Sequence, residues 1–145
     1  MNLSKKRYLR YNENYVPLPS YEGDEIFPNG IFNFNISRMM EYIHSGSLRA
    51  ERERIEVKRW FTTHYRPTIN EDHIKTVDVR KTVIQAEIRP GIYSIIDGNH
   101  RMEKAYRAGV PYMDSYKLQG EQLIPFFLEE RGYKAFVDYW NSKLN

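Results

Sequence analysis

The chain has 145 residues, 41% of them hydrophobic and 28% charged, the composition of a folded domain with room for a real core. Its longest apolar run, Leu123 to Leu128, is interrupted by Pro125, whereas a membrane span needs about 20 apolar residues, and no apolar stretch follows the basic Lys5, Lys6, Arg7 and Arg10, so neither a membrane partner nor a secretory signal is expected. Cysteine is absent, which excludes disulfides, thiolate metal sites and cysteine nucleophiles and agrees with a cytoplasmic location.

The net charge of +3 sits in the first 20 residues, which hold four basic groups and one acid, Glu13; the other 125 residues balance with 18 of each sign. A basic nucleic-acid binder should spread positive charge over its folded face. DNA is therefore expected to meet this chain through the amino-terminal arm rather than the body.

Residues 1–30 read as an extended arm. They contain Pro17, Pro19, Gly23, Pro28 and Gly30 and no helical period. Tyr8, Tyr11, Tyr15, Tyr21 and Phe27 predict that the arm packs on something, its own domain or a partner, while residues 1–12 are expected to be mobile unless bound. Gly30 to Asn35 alternates as a short strand, with Phe32 and Phe34 on one face. Ser37 then caps a helix with Ile36, Met39, Met40 and Ile43 as its apolar stripe, and Gly46 ends it. Arg49 to Glu53 reads as a turn of helix. Arg54 to Arg59 has strand spacing, with Ile55 and Val57 on one face. Trp60 and Phe61 follow as core anchors, and Thr62 to Thr68 as a loop.

Asn70 caps a short helix, Glu71 to Thr76. Thr82 to Ile88 and Tyr93 to Ile96 are β-rich runs joined by the turn Arg89-Pro90-Gly91, a hairpin. Asp97-Gly98-Asn99 turns into a helix over His100 to Ala108. Gly109 and Pro111 stop it. Tyr112 to Leu118 is a further strand. Leu123, Phe126 and Phe127, then Tyr133, Phe136, Val137 and Trp140, predict two helices separated by Gly132. The mixture of strands and helices is α+β.

The chemistry lies in Asp97-Gly98-Asn99-His100-Arg101. A strand runs through a glycine turn into a helix start. The first amides of a helix have no internal partners and carry partial positive charge, so they favour an anion. Gly98 admits a positive φ and a close ligand. Arg101 offers a planar fork for a phosphate, and His100 a second donor. Asp97 suits a magnesium ion or an accepting hydroxyl. These residues are thus candidates for phosphate binding (Gly98, Asn99, His100, Arg101), for catalysis (Asp97, His100) and for a metal (Asp97). Asn99 as an ordinary cap and Asp-Gly as an ordinary turn account for the same letters. Two basic residues placed against the helix dipole favour the anion.

The segment resembles the phosphate-binding motif of the ParB/sulfiredoxin superfamily. Gly98, Arg101, Ala105, Ala108 and Gly109 match the partition proteins; Gly98, His100 and Arg101 match the sulfiredoxins; Asp97, Gly98, His100 and Arg101 match the free serine kinases. The resemblance covers roughly Ile55 to Leu118. It implies a ParB/sulfiredoxin-like fold with a mixed sheet, assigned to residues 31–118; the aromatics of residues 119–145, recurring at helical spacing, predict a helical tail packed on that domain. It also implies a nucleoside di- or triphosphate ligand, with magnesium and phosphotransferase or nucleoside triphosphatase activity in view. The alternatives are a ParB-like DNA-binding protein or nuclease, and a non-catalytic interaction module.

The departures also count. Asn99 replaces the sulfiredoxin cysteine, so sulfinic-acid repair is excluded. About 27 residues follow Leu118, too few for a DNA reader and a dimerisation domain. Arg66-Pro67 echoes an upstream ParB motif only in part, and Glu56, Glu71 and Asp72 match a kinase glutamate by position alone. Arg66 and Arg107 are added as secondary phosphate candidates. With Arg59, Trp60 and Arg101 they also make up a candidate basic aromatic face. His44, His64, His73 and His100 lack metal-ligand spacing.

Overall fold

The computed structural model describes residues 6–145. Lys5 of the basic arm lies outside them. In chain order the elements are β1 (Ile26–Phe27), β2 (Phe34–Asn35), α1 (Ile36–Ser45), β3 (Glu51–Glu56), α2 (Val57–Thr63), α3 (Glu71–Ile74), β4 (Val83–Arg89), β5 (Ile92–Asp97), α4 (Asn99–Arg107), β6 (Tyr112–Leu118), a 3-10 helix (Gly120–Phe126) and α5 (Glu130–Ser142). The α+β class is as expected. Two compact units divide the chain: unit 1 takes residues up to Arg49, Glu87–Ile92 and Gln119–Asn145, and unit 2 takes Ala50–Ala86 and Tyr93–Leu118. The arm and tail read from the sequence therefore fall in one unit. Among the described residues no helix is long and apolar enough to cross a membrane.

Unit 1 is built on aromatic side chains. Phe34 meets Phe127 at 4.7 Å between ring centres, Phe127 meets Phe136 at 5.1 Å, and Phe136 meets Trp140 at 5.9 Å. All four are buried. β1 pairs antiparallel with β2, Phe27 opposite Phe34. The strand is shorter than the Gly30–Asn35 alternation suggests, because its start is taken by a turn in which the Phe32 amide donates to the Asn29 carbonyl at 2.9 Å, and its last residue, Asn35, caps α1. Its Oδ1 accepts the Arg38 amide at 3.0 Å. Ser37, the expected cap, instead accepts the Glu25 amide at 2.8 Å.

Gly132 does not separate two helices. α5 runs through it, and a side chain there would put Cβ 2.6 Å from the Ile31 carbonyl oxygen. The glycine serves close packing, and the break falls earlier, after Pro125.

The arm is tied to α5 from Arg7 onward. The Arg7 carbonyl accepts Trp140 Nε1 at 2.7 Å. Asn141 accepts the Leu9 amide at 2.8 Å and donates to the Leu9 carbonyl at 2.9 Å. Tyr15 stacks on Tyr133 at 4.0 Å. These bonds replace the mobility expected for the described part of residues 1–12.

Unit 2 holds most of the four-stranded sheet, in the order β3-β6-β4-β5. β3 and β6 are antiparallel, and β4 and β6 parallel. The expected hairpin is present as β4 and β5, whose tips belong to unit 1. The core gathers Ile55, Val57, Val83, Ile95, Met102, Ala105 and Met113. β3 occupies the residues expected to be helical, and α2 begins where the strand pattern still runs. Both Ile55 and Val57 are buried, but the Val57 amide donates to the Pro111 carbonyl at 3.0 Å as the chain turns. Burial alternation therefore continues past the end of the strand.

Candidate functional site

β5 delivers Asp97 to the turn, and α4 starts two residues later. Gly98 stands before the helix with φ +103°, and no side chain caps it. Asn99, expected as a cap, is the first helical residue instead. Its Nδ2 donates back to the Ile95 carbonyl at 3.2 Å. The first amides of α4 thus have no capping side chain, and a helix start leaves them without intrahelical partners.

The two basic residues of the motif are not a free cationic pair. Arg101 Nη2 lies 3.1 Å from Asp97 Oδ2 and 3.4 Å from the Thr82 carbonyl. Both side chains are largely buried, and Arg101 Nε is buried with no partner. The i,i+4 spacing on the first turn of the helix brings the pair together. His100 Nε2 accepts the Asn70 amide at 3.1 Å, so the neutral ring carries its proton on Nδ1.

His100 meets the edge of His73 at 4.7 Å. Burial, then the neighbouring His73, hold the His100 pKa below its ordinary value, against a smaller opposite pull from Glu71. The folded value is the lower one. The stability from the neutral ring is therefore complete above the unfolded value, about 6.5, and declines as pH falls below it. We expect the His100 ring resonances to titrate at lower pH in the native chain than in urea. Equal values in the two states would contradict this packing.

Arg66 and Arg107 are not brought to the start of α4. Both bind Glu103, a buried carboxylate one turn further along the helix. Arg107 also grips Glu71, at 2.8 and 2.9 Å, and Arg66 lies over the Tyr106 ring at 4.3 Å. Glu103 stands beside Met102 and Ala105 on the buried face. A carboxylate in an apolar stripe calls for cations, and that signal was available in the sequence.

A cleft of about 270 Å³ adjoins the helix start, with Trp60, Phe61, Tyr65, Ser94 and Asn99 among its walls. Trp60 stacks on His64 at 3.7 Å with the rings nearly parallel. His64 Nε2 lies 2.8 Å from the Tyr93 carbonyl. Sequence reasoning placed Trp60 on a candidate face but missed Phe61, Tyr65 and Ser94 as cleft residues. An aromatic in the loop between His64 and Arg66 was the signal for Tyr65.

Among the described residues no group of three or more His, Asp or Glu side chains is placed to hold a metal ion. The one carboxylate expected to serve magnesium, Asp97, faces Arg101. The residues present do not fit a resident metal. In the basic arm, Arg7 grips Glu87, at 3.0 and 2.7 Å, and also Glu121. That engagement withdraws Arg7 from the cations expected to meet DNA.

The sequence matches no family model, and no curated protein and no solved structure matches it.

Proposed function

We propose that unit 2 binds a nucleoside di- or triphosphate, with a phosphate at the amides of Asn99, His100 and Arg101. The uncapped start of α4, opening beside a cleft, carries this reading. Such amides favour an anion by geometry and by dipole. The His100 Nδ1 proton adds a neutral donor. An arriving phosphate competes with Asp97 for the Arg101 guanidinium, a charge-assisted exchange. The resemblance to the ParB/sulfiredoxin superfamily points the same way. Asp97 is held by Arg101 and His100 Nε2 by Asn70. Neither is a free base, so binding rather than turnover is the function this geometry supports.

Calorimetry with adenine, guanine, cytosine and uracil nucleotides tests the proposal, and Asn99→Asp is the informative variant. A carboxylate at the first helical position suits the dipole by roughly 0.3–1 kcal/mol, which offsets part of the loss of the Nδ2 bond to the Ile95 carbonyl, while a fixed charge fills the anion site. The expected result is at least about tenfold weaker nucleotide binding, a change of about 1.4 kcal/mol. Undiminished binding by this variant, or no binding by the native chain, overturns the assignment.

A further inference from the structure

We infer that Tyr65 is the stacking platform for the base of the bound nucleotide, an inference that rests on the proposed phosphate site and names the other half of the ligand.

The exposed tyrosines of the described chain carry the argument. Tyr8 and Tyr11 donate their hydroxyls to Asn145 and Asp138. Tyr21, Tyr106 and Tyr112 lie under Arg38, Arg66 and Arg54. Tyr65 is fully exposed, and no hydrogen bond or ring contact to its side chain is present among the described residues.

Its backbone is nevertheless fixed on both sides. His64 is tied to the Tyr93 carbonyl and stacked on Trp60. Arg66 is locked onto buried Glu103. The backbone of Tyr65 is thus held at the cleft by its two neighbours, while the ring itself is free to turn onto a ligand, at the cost of ordering one side chain.

The place is the rim of the cleft that ends at Asn99. Trp60 and Phe61 line the same cleft, so its walls suit a planar apolar group. Two polar atoms suit the edge of a heterocycle rather than a hydrocarbon. Asn99 uses its Nδ2 on Ile95, which leaves Oδ1 to accept. The Ser94 hydroxyl both donates and accepts. A planar heteroaromatic ring in the cleft and a phosphate at the adjoining helix start together describe a nucleotide. Stacking reads the π-face that every base has, so discrimination among the four bases should be weak.

The test compares inorganic tripolyphosphate, the four nucleoside triphosphates and the four free nucleosides on the full chain and on Tyr65→Ala and Tyr65→Phe. Tyr65 is wholly in water, so its truncation leaves the fold unchanged, as circular dichroism will verify. Tyr65→Ala should weaken each triphosphate roughly tenfold, within the range seen for aromatic–base stacking, and leave tripolyphosphate unchanged. Tyr65→Phe should restore the native affinity. If tripolyphosphate and the nucleotides bind alike and Tyr65→Ala changes neither, the stacking role is wrong and the phosphate site stands. If tripolyphosphate does not bind while the nucleosides do, and lose affinity in Tyr65→Ala, the phosphate reading fails and the platform survives. If nothing binds, both fall.

Discussion

Gly98→Ala is expected to destabilise the protein by about 2–6 kcal/mol, from two independent costs. Gly98 has φ +103°, a conformation that costs a residue with a side chain about 1–3 kcal/mol. The new methyl group also has nowhere to go. It would lie 2.9 Å from Val83 Cβ, closer still to Val83 Cγ1, and 2.9 Å from Arg101 Nη2. Val83 is fully buried in the unit 2 core, so it cannot swing aside, and overpacking of this kind costs about 1–3 kcal/mol. A typical domain has only about 5–15 kcal/mol in total. Urea unfolding should therefore show a midpoint shift among the largest of any single substitution in unit 2. A variant as stable as the native chain would mean that the turn is not the one described.

Glu87→Ala is expected to cost about 2–4 kcal/mol. The Glu87 carboxylate is 1% exposed and accepts from four donors: Arg7 Nη1 at 3.0 Å, Arg7 Nη2 at 2.7 Å, the Gly91 amide at 2.7 Å and the Gly120 amide at 3.1 Å. Removing one partner of a buried pair costs about 3–5 kcal/mol. Arg7 is 40% exposed, so water relieves part of its loss and the cost falls below that of a fully buried pair. The stranded amides remain unsatisfied.

The same site gives a pH signature. Burial pushes the Glu87 carboxyl up, but Arg7 and the Gly91 and Gly120 amides together pull it further down, to below its ordinary value. Its folded value is the depressed one. The stabilisation is therefore complete above the unfolded carboxylate value, about 4.3, and is lost as pH falls through the folded value. Glu87→Gln should flatten that acid limb of the stability curve. An unchanged acid limb would remove Glu87 from the account.

The segment around the candidate site was the most readable part of the chain. Glycine, helix period and the Gly109–Pro111 stop placed α4 within one residue of its observed bounds. Local signals of that kind depend only on neighbours in sequence. The partners of the charged side chains were harder to read. Arg101 turns back on Asp97 at i,i+4 spacing, so the expected cationic pair is neutralised from within its own turn. Arg66 and Arg107 converge on Glu103 from 37 and 4 residues away. The shorter link follows from helix geometry, but the longer one depends on how the loop before α3 returns to α4. In the arm, the tyrosines were read as packing residues without a named partner. Tyr133, Trp140 and Asn141 are that partner, and no local pattern connects positions more than a hundred residues apart.

That last arrangement bears on how the chain folds. Leu9 and Asn141 are 132 positions apart, and Arg7 and Glu121 are 114 apart. Contacts of such separation close large loops and slow folding. On a ribosome adding about 5–20 residues per second, Phe34 waits roughly 5–20 s before Phe127 is made. Through that interval Phe34, Ile36 and Met39 lack the tail that completes their core, and every residue of unit 2 is made before Phe127 arrives. The nascent chain thus passes through a stage with the apolar side chains of β2 and α1 exposed to chaperones and to aggregation, and release of the final helix ends it.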